Sequence, residues 1–192
     1  MRYLLIALIA LSLVSCSKGR KTDAPRNLDN ACAMKKERKA WFNDMSAVQR
    51  KWGVPVPVMM ATIYQESKFE GKARTPLRFA AGVVPLGRQS SAYGYSQAID
   101  STWDWYRKSQ NRPRAKRDKF TDAVDFMGWY MNETQKRNGV SKHDAYNQYL
   151  AYHDGHSGYA KQSYLRKSWL PPVARSVQER AIMYQSQLAY CR

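Results

Sequence analysis

Acidic residues are scarce in this chain. Against 32 Lys and Arg stand 15 Asp and Glu, leaving a formal net charge of +17 over 192 residues. An imbalance of that size suggests an anionic partner: nucleic acid, a membrane surface or an acidic polymer. Cysteine is scarce too, with 3 copies, which rules out a scaffold held by several disulfides. No apolar run is long enough to span a bilayer comfortably as a permanent helix. Strand-type alternation, internal repeats and low-complexity stretches are all lacking, so the pattern predicts an all-α chain.

What is present begins with an address. Residues 1–15 carry one early positive charge, an unbroken apolar stretch and a small-residue exit, the marks of a secretory signal peptide. The last part, Leu13-Val14-Ser15-Cys16, resembles a bacterial lipobox, which implies cleavage before Cys16 and its lipidation. Ser17 follows, which in a Gram-negative cell favours the periplasmic face of the outer membrane. Export removes nucleic acid as the physiological partner and leaves wall polymers and lipid phosphates. With Cys16 acylated, Cys32 and Cys191 remain as one possible pair in an oxidising compartment. A bridge between them would clasp the two ends of the domain.

Residues 16–31 are polar and read as a tether from the lipidated cysteine. Residues 32–192 then form a single helical domain, expected to be monomeric. Helices are predicted over 35–52, from Pro55 through Glu66, over 101–109 and over 121–137. Ser141 with Asp144 resembles a capping box that opens a fifth helix to Tyr152. A sixth is expected over 157–168. Pro171-Pro172 is expected to break the chain before a last helix from Val173. Residues 70–92, punctuated by Gly and Pro, read as a long loop. The densest basic cluster, Arg112 to Lys119, is most simply a solvated loop between helices.

Glu66 closes an apolar helical run, followed by Ser67-Lys68-Phe69. A carboxyl held against apolar surroundings has its pKa raised and can deliver a proton near neutral pH. Downstream come Gly94-Tyr95-Ser96-Gln97-Ala98-Ile99-Asp100-Ser101-Thr102 and Ala151-Tyr152-His153-Asp154-Gly155. In this order the three segments resemble the motifs Glu-Ser-x-Phe, Gly-Leu-Met-Gln-x-x-Pro-x-Thr and Ala-Tyr-Asn-Ala-Gly of the lysozyme-like soluble lytic transglycosylases, the SLT-type domain. The first motif is intact. In the second, Gly, Gln and Thr hold while Tyr95, Ser96 and Asp100 depart. In the third, His153 and Asp154 depart.

The resemblance covers roughly residues 50–160 and implies a lysozyme-like helical fold and a cell-wall lyase. Its substrate would be the glycan strands of peptidoglycan, with no cofactor. It implies Glu66 as the acid/base and Ser67 as a substrate-binding group that hydrogen-bonds near the scissile bond and helps orient Glu66. Gln97 would contact the substrate, and the Tyr152 hydroxyl would point at Glu66. Tyr93 and Tyr95 are further candidates for sugar contact. The stretch from Lys72 to Gln89 is longer than the family pattern and is expected to form an extra loop over the cleft.

Two other chemistries are compatible with the residues. Asp154 as a second carboxylate could activate water, giving a muramidase-type hydrolase. A wall-binding lipoprotein could keep the fold without the reaction. His153-Asp154-Gly155-His156 offers too few ligands for a zinc site, and no metal is expected.

Overall fold

The computed structural model describes residues 24–191, so the leader 1–15, Cys16 and the tether up to residue 23 lie outside the described residues. Among the described residues, apolar side chains at helical spacing build eight helices: α1 (Ala31–Glu37), α2 (Lys39–Trp52), α3 (Val56–Ser67), α4 (Asp100–Ser109), α5 (Phe120–Asn138), α6 (Ala145–Asp154), α7 (His156–Ala160) and α8 (Leu170–Tyr190). The all-α expectation holds for the body of the domain. α3 packs on α8, α2 on α5 and α6 on α8. No helix among the described residues is long and apolar enough to cross a membrane.

α5 is the axis. Its buried side chains run from Phe120 to Thr134, and Gly128 lets α2 approach closely. A Cβ at Gly128 would stand 2.4 Å from Val48 Cγ1. One apolar cluster gathers Met45, Met59, Ile63, Phe69, Leu150 and Tyr184; a second gathers Trp103, Tyr106, Phe126 and Trp129. Between α2, α4 and α5 sits buried Asp125, which accepts hydrogen bonds from Lys51 Nζ (2.9 Å), Trp52 Nε1 (2.9 Å), Tyr106 Oη (2.7 Å) and Arg112 Nη1 (2.6 Å). Arg112 also pairs with Asp122 at 2.8 Å. Part of the basic cluster is therefore a structural clamp on α5 rather than a solvated loop.

The ends are clasped. Cys32 and Cys191 form a disulfide with Cα atoms 5.4 Å apart, joining α1 to the end of α8 across a sequence separation of 159. Closing so long a loop stabilises the domain by up to about 5 kcal/mol in the chain-entropy view. Gln187 reinforces the clasp through Ala31 N (2.7 Å) and Asp29 O (2.9 Å).

Several boundaries differ from the sequence expectation. The first predicted helix is two, because Arg38 leaves helical geometry (φ −124°, ψ 48°). Asp144, not Ser141, caps α6, accepting from Asn147 N at 3.0 Å. Pro171 and Pro172 do not break the chain before the last helix. They occupy the first turn of α8, where the missing N–H groups have no intrahelical partner to lose. The predicted sixth helix is only α7 plus a 3-10 turn, Ser163–Arg166.

The loop expected over 70–92 contains a hairpin instead. Strand β1 (Leu77–Ala80) pairs antiparallel with β2 (Val84–Arg88), with a bulge after Arg78.

Candidate active site

Glu66 lies in the last turn of α3, whose entry is fixed by Pro55 at the N-cap and Pro57 in the first turn. Helix α3 stops immediately afterwards: Lys68 (φ 51°) and Phe69 (φ 64°) are both left-handed. Two such residues in succession store strain of order 1–3 kcal/mol each, and packing holds them. Phe69 is fully buried against Trp41 and Phe120, with ring centroids 6.1 and 6.5 Å away. Ser67 Oγ donates to Tyr95 O at 2.8 Å and so ties the end of α3 to the Gly94–Gln97 turn.

That turn is held from both sides. Gly94 (φ 79°) passes so near Arg117 that a Cβ would stand 2.2 Å from its carbonyl oxygen. Gln97 is left-handed too (φ 48°), and its Nε2 donates to Ala73 O (3.0 Å) and Gly94 O (2.8 Å). From α6, the Tyr152 hydroxyl donates to Ser96 O at 2.6 Å. Glu66, Gln97, Tyr152, His153 and Asp154 thus line one cleft of about 450 Å³, with Phe126 and Tyr130 of α5 as an aromatic wall.

Glu66 is half-buried there. Burial pushes its carboxyl up to about 7, and this outweighs the opposing hydrogen bond from Tyr149 and the charge of Lys68. The negative end of the α3 dipole acts in the same direction as burial. Asp154 shares the cleft but differs in its partners. It accepts from Lys167 Nζ and Ser163 Oγ, each at 2.5 Å, and its side chain is 2% exposed. Burial would raise its pKa, but these partners hold it below the usual carboxylate range.

The sequence candidates therefore sort into three positions. Glu66, Gln97 and Tyr152 face the cleft. Ser67 is buried beneath it as a tie between segments. Tyr95 and Tyr93 lie elsewhere. The Tyr95 ring is buried against Trp41 and Phe120, at centroid distances of 5.4 and 5.1 Å. Tyr93 donates to Asp118 at 3.1 Å and stacks under Arg74.

The Tyr152 hydroxyl, expected to point at Glu66, donates to Ser96 O instead of making a hydrogen bond to Glu66. Tyr149, one turn earlier on α6, donates it. Its spacing of three from Tyr152 puts both on one helix face, a signal present in the sequence and not used. His156 turns away from the cleft, stacked on Tyr130 at 4.3 Å with Thr134 Oγ1 3.0 Å from Nε2. Among the described residues no cluster of His, Cys, Asp and Glu could hold a metal.

Fold and site together define a predominantly helical domain with a carboxyl group in its cleft. Residues 4–191 match the family model described as the transglycosylase SLT domain, and the chain belongs to that family. The activity that comes with it is lytic transglycosylation of peptidoglycan. No curated protein matches the chain.

Proposed function

We propose that Glu66 serves as both acid and base in cleaving the β-1,4 bond between N-acetylmuramic acid and N-acetylglucosamine. Protonated Glu66 gives its proton to the glycosidic oxygen as the bond from the muramic anomeric carbon breaks. The resulting carboxylate then takes the proton of the C6 hydroxyl of the same sugar. The C6 oxygen bonds to the anomeric carbon, closing a 1,6-anhydro ring. No water is consumed, and Glu66 ends the cycle protonated.

The observation that carries this reading is a cleft carboxyl with a pKa raised to about 7. Such a group is populated in both forms near neutral pH, as an acid that must next act as a base requires. The engagement of Asp154 by Lys167 and Ser163 supports a route without a second carboxylate. Gln97, with Nε2 spent on the backbone, offers Oε1 to a sugar hydroxyl or amide. Ser67 acts through position, by fixing the turn beside Glu66. Lipidation at Cys16, residence at the outer membrane and a monomeric state belong to the same reading.

Mass spectrometry of muropeptides released from purified sacculi tests it, comparing wild type with Glu66→Gln. Anhydro-muropeptides from the wild type alone are expected. Products heavier by one water would replace this mechanism with hydrolysis and direct attention to Asp154. Binding without release by both proteins would make the chain a wall-binding lipoprotein.

A further inference from the structure

Among the described residues, the hairpin of β1 and β2 packs against no other helix or strand. Leu77, Phe79, Val83, Val84 and Leu86 are 47–76% exposed, and every residue of β2 is exposed. Hydrophobic side chains gathered in this way on a protruding element mark an interaction surface. The order of residues says what kind. Between Arg78 and Arg88 runs Phe79-Ala80-Ala81-Gly82-Val83-Val84-Pro85-Leu86-Gly87, a tip without one polar side chain.

Leu77 pairs with Arg88 and Arg78 with Gly87, so the two arginines stand on neighbouring rungs. The turn at Ala81–Val83 lies about three residues beyond them, roughly 10 Å along the strands. Lys72 and Arg74 add charge at the base, and no Asp or Glu occurs between Glu70 and Asp100. An apolar tip about 10 Å deep under a collar of cations matches the interfacial layer of a bilayer, where apolar groups sink roughly 5–10 Å. Glycan strands offer nothing to match valine and leucine, and a second copy of this chain would set +17 against +17.

We infer that the 77–88 hairpin docks on a phospholipid surface bearing anionic headgroups, with Phe79 to Leu86 inserted and Arg78 and Arg88 at the phosphates. The base of the hairpin is fixed to the cleft wall. Thr75 and Ser90 line the cleft and join through Thr75 Oγ1 and Ser90 O at 3.0 Å, while Arg88 Nη1 donates to Thr75 O at 2.6 Å. Docking would therefore set the orientation of the cleft relative to the membrane. The inference stands apart from the catalytic assignment, since it involves no cleft chemistry.

The test uses the full chain with Cys16→Ser and Val83→Cys, the latter labelled with an environment-sensitive NBD group. Vesicles of phosphatidylglycerol mixed with phosphatidylcholine should blue-shift and brighten the probe several-fold. Pure phosphatidylcholine should not, and high salt should reverse the change. Adding Arg78→Gln and Arg88→Gln should weaken partitioning by about thirtyfold, taking the usual contribution of each interfacial cation. An unchanged thermal midpoint in that variant keeps loss of folding out of the comparison.

A silent probe with anionic vesicles, or an equal response to neutral ones, would overturn the inference. A response to protein concentration alone would make the surface a dimer contact, and a response to sacculi alone a glycan contact. Either result would also overturn it.

Discussion

Glu66 and Asp125 are two carboxylates withdrawn from water in the same domain, and they titrate in opposite directions. Burial is the leading influence on both, and on both it raises the pKa. Asp125 overcomes it with hydrogen bonds from Tyr106, Lys51, Trp52 and Arg112 and stays below the ordinary aspartate value. Glu66 has one hydrogen bond, from Tyr149, and the charge of Lys68, and rises to about 7. The number of donors decides which acid holds the fold together and which remains free to exchange a proton.

The largest effect should come from breaking the satisfied site. Asp125→Ala leaves Trp52 and Tyr106 without their acceptor and Lys51 without its counterion, while Arg112 keeps only Asp122. Chemical denaturation at neutral pH should show a loss of about 3 kcal/mol, the usual scale for breaking a buried pair. Because the pKa of Asp125 is depressed, its contribution is present at neutral pH and is lost as pH falls through its folded value.

Glu66→Gln should do the reverse. Below the ordinary value of 4.5 both folded and unfolded states are protonated at this position, so the variant and wild type should be equally stable. As pH rises from 4.5 to about 7 the unfolded chain ionises while the folded one resists, and the wild type loses stability. By pH 8 the glutamine variant should be more stable by roughly 3 kcal/mol, read as a pH-dependent gap in denaturation midpoints. A constant gap at all pH values would mean that Glu66 ionises normally.

The smallest effect tests the one donor Glu66 does have. A hydrogen bond from Tyr149 favours the ionised form, so Tyr149→Phe should push the Glu66 pKa higher still. The alkaline limb of kcat/KM should move up by an amount worth about 1 kcal/mol. A rate loss with an unmoved limb would leave Tyr149 a packing residue.

The contrast between the two acids was only half legible in the sequence. Glu66 stood out because an apolar run led into Glu-Ser-x-Phe, and the other two motifs followed in order. Asp125 gave no signal, since its donors come from α2, α4 and the loop after it, 13 to 74 residues away from Asp125. Helix positions were readable where apolar residues repeat, as in α3 and α5. Their ends were not, because Arg38 and Asp144 act through local geometry that periodicity does not encode.

Tyr95 sat in a cleft motif, yet its ring serves the core, where it fills the space over Gly71. The hairpin was hidden for a related reason. Pro85 and Gly87 interrupt alternation in β2, and its two faces are both exposed, so neither carries the apolar pattern of a strand packed on a core.

The most direct measurement is the titration of the Glu66 carboxyl by carbon NMR of the labelled domain, with Glu66→Gln to assign the signal and Asp125 as internal reference. A Glu66 midpoint near 7, with Asp125 titrating below the ordinary aspartate value, is the expected result. A Glu66 midpoint near 4.5 would contradict the account, leaving the cleft without a proton donor at neutral pH.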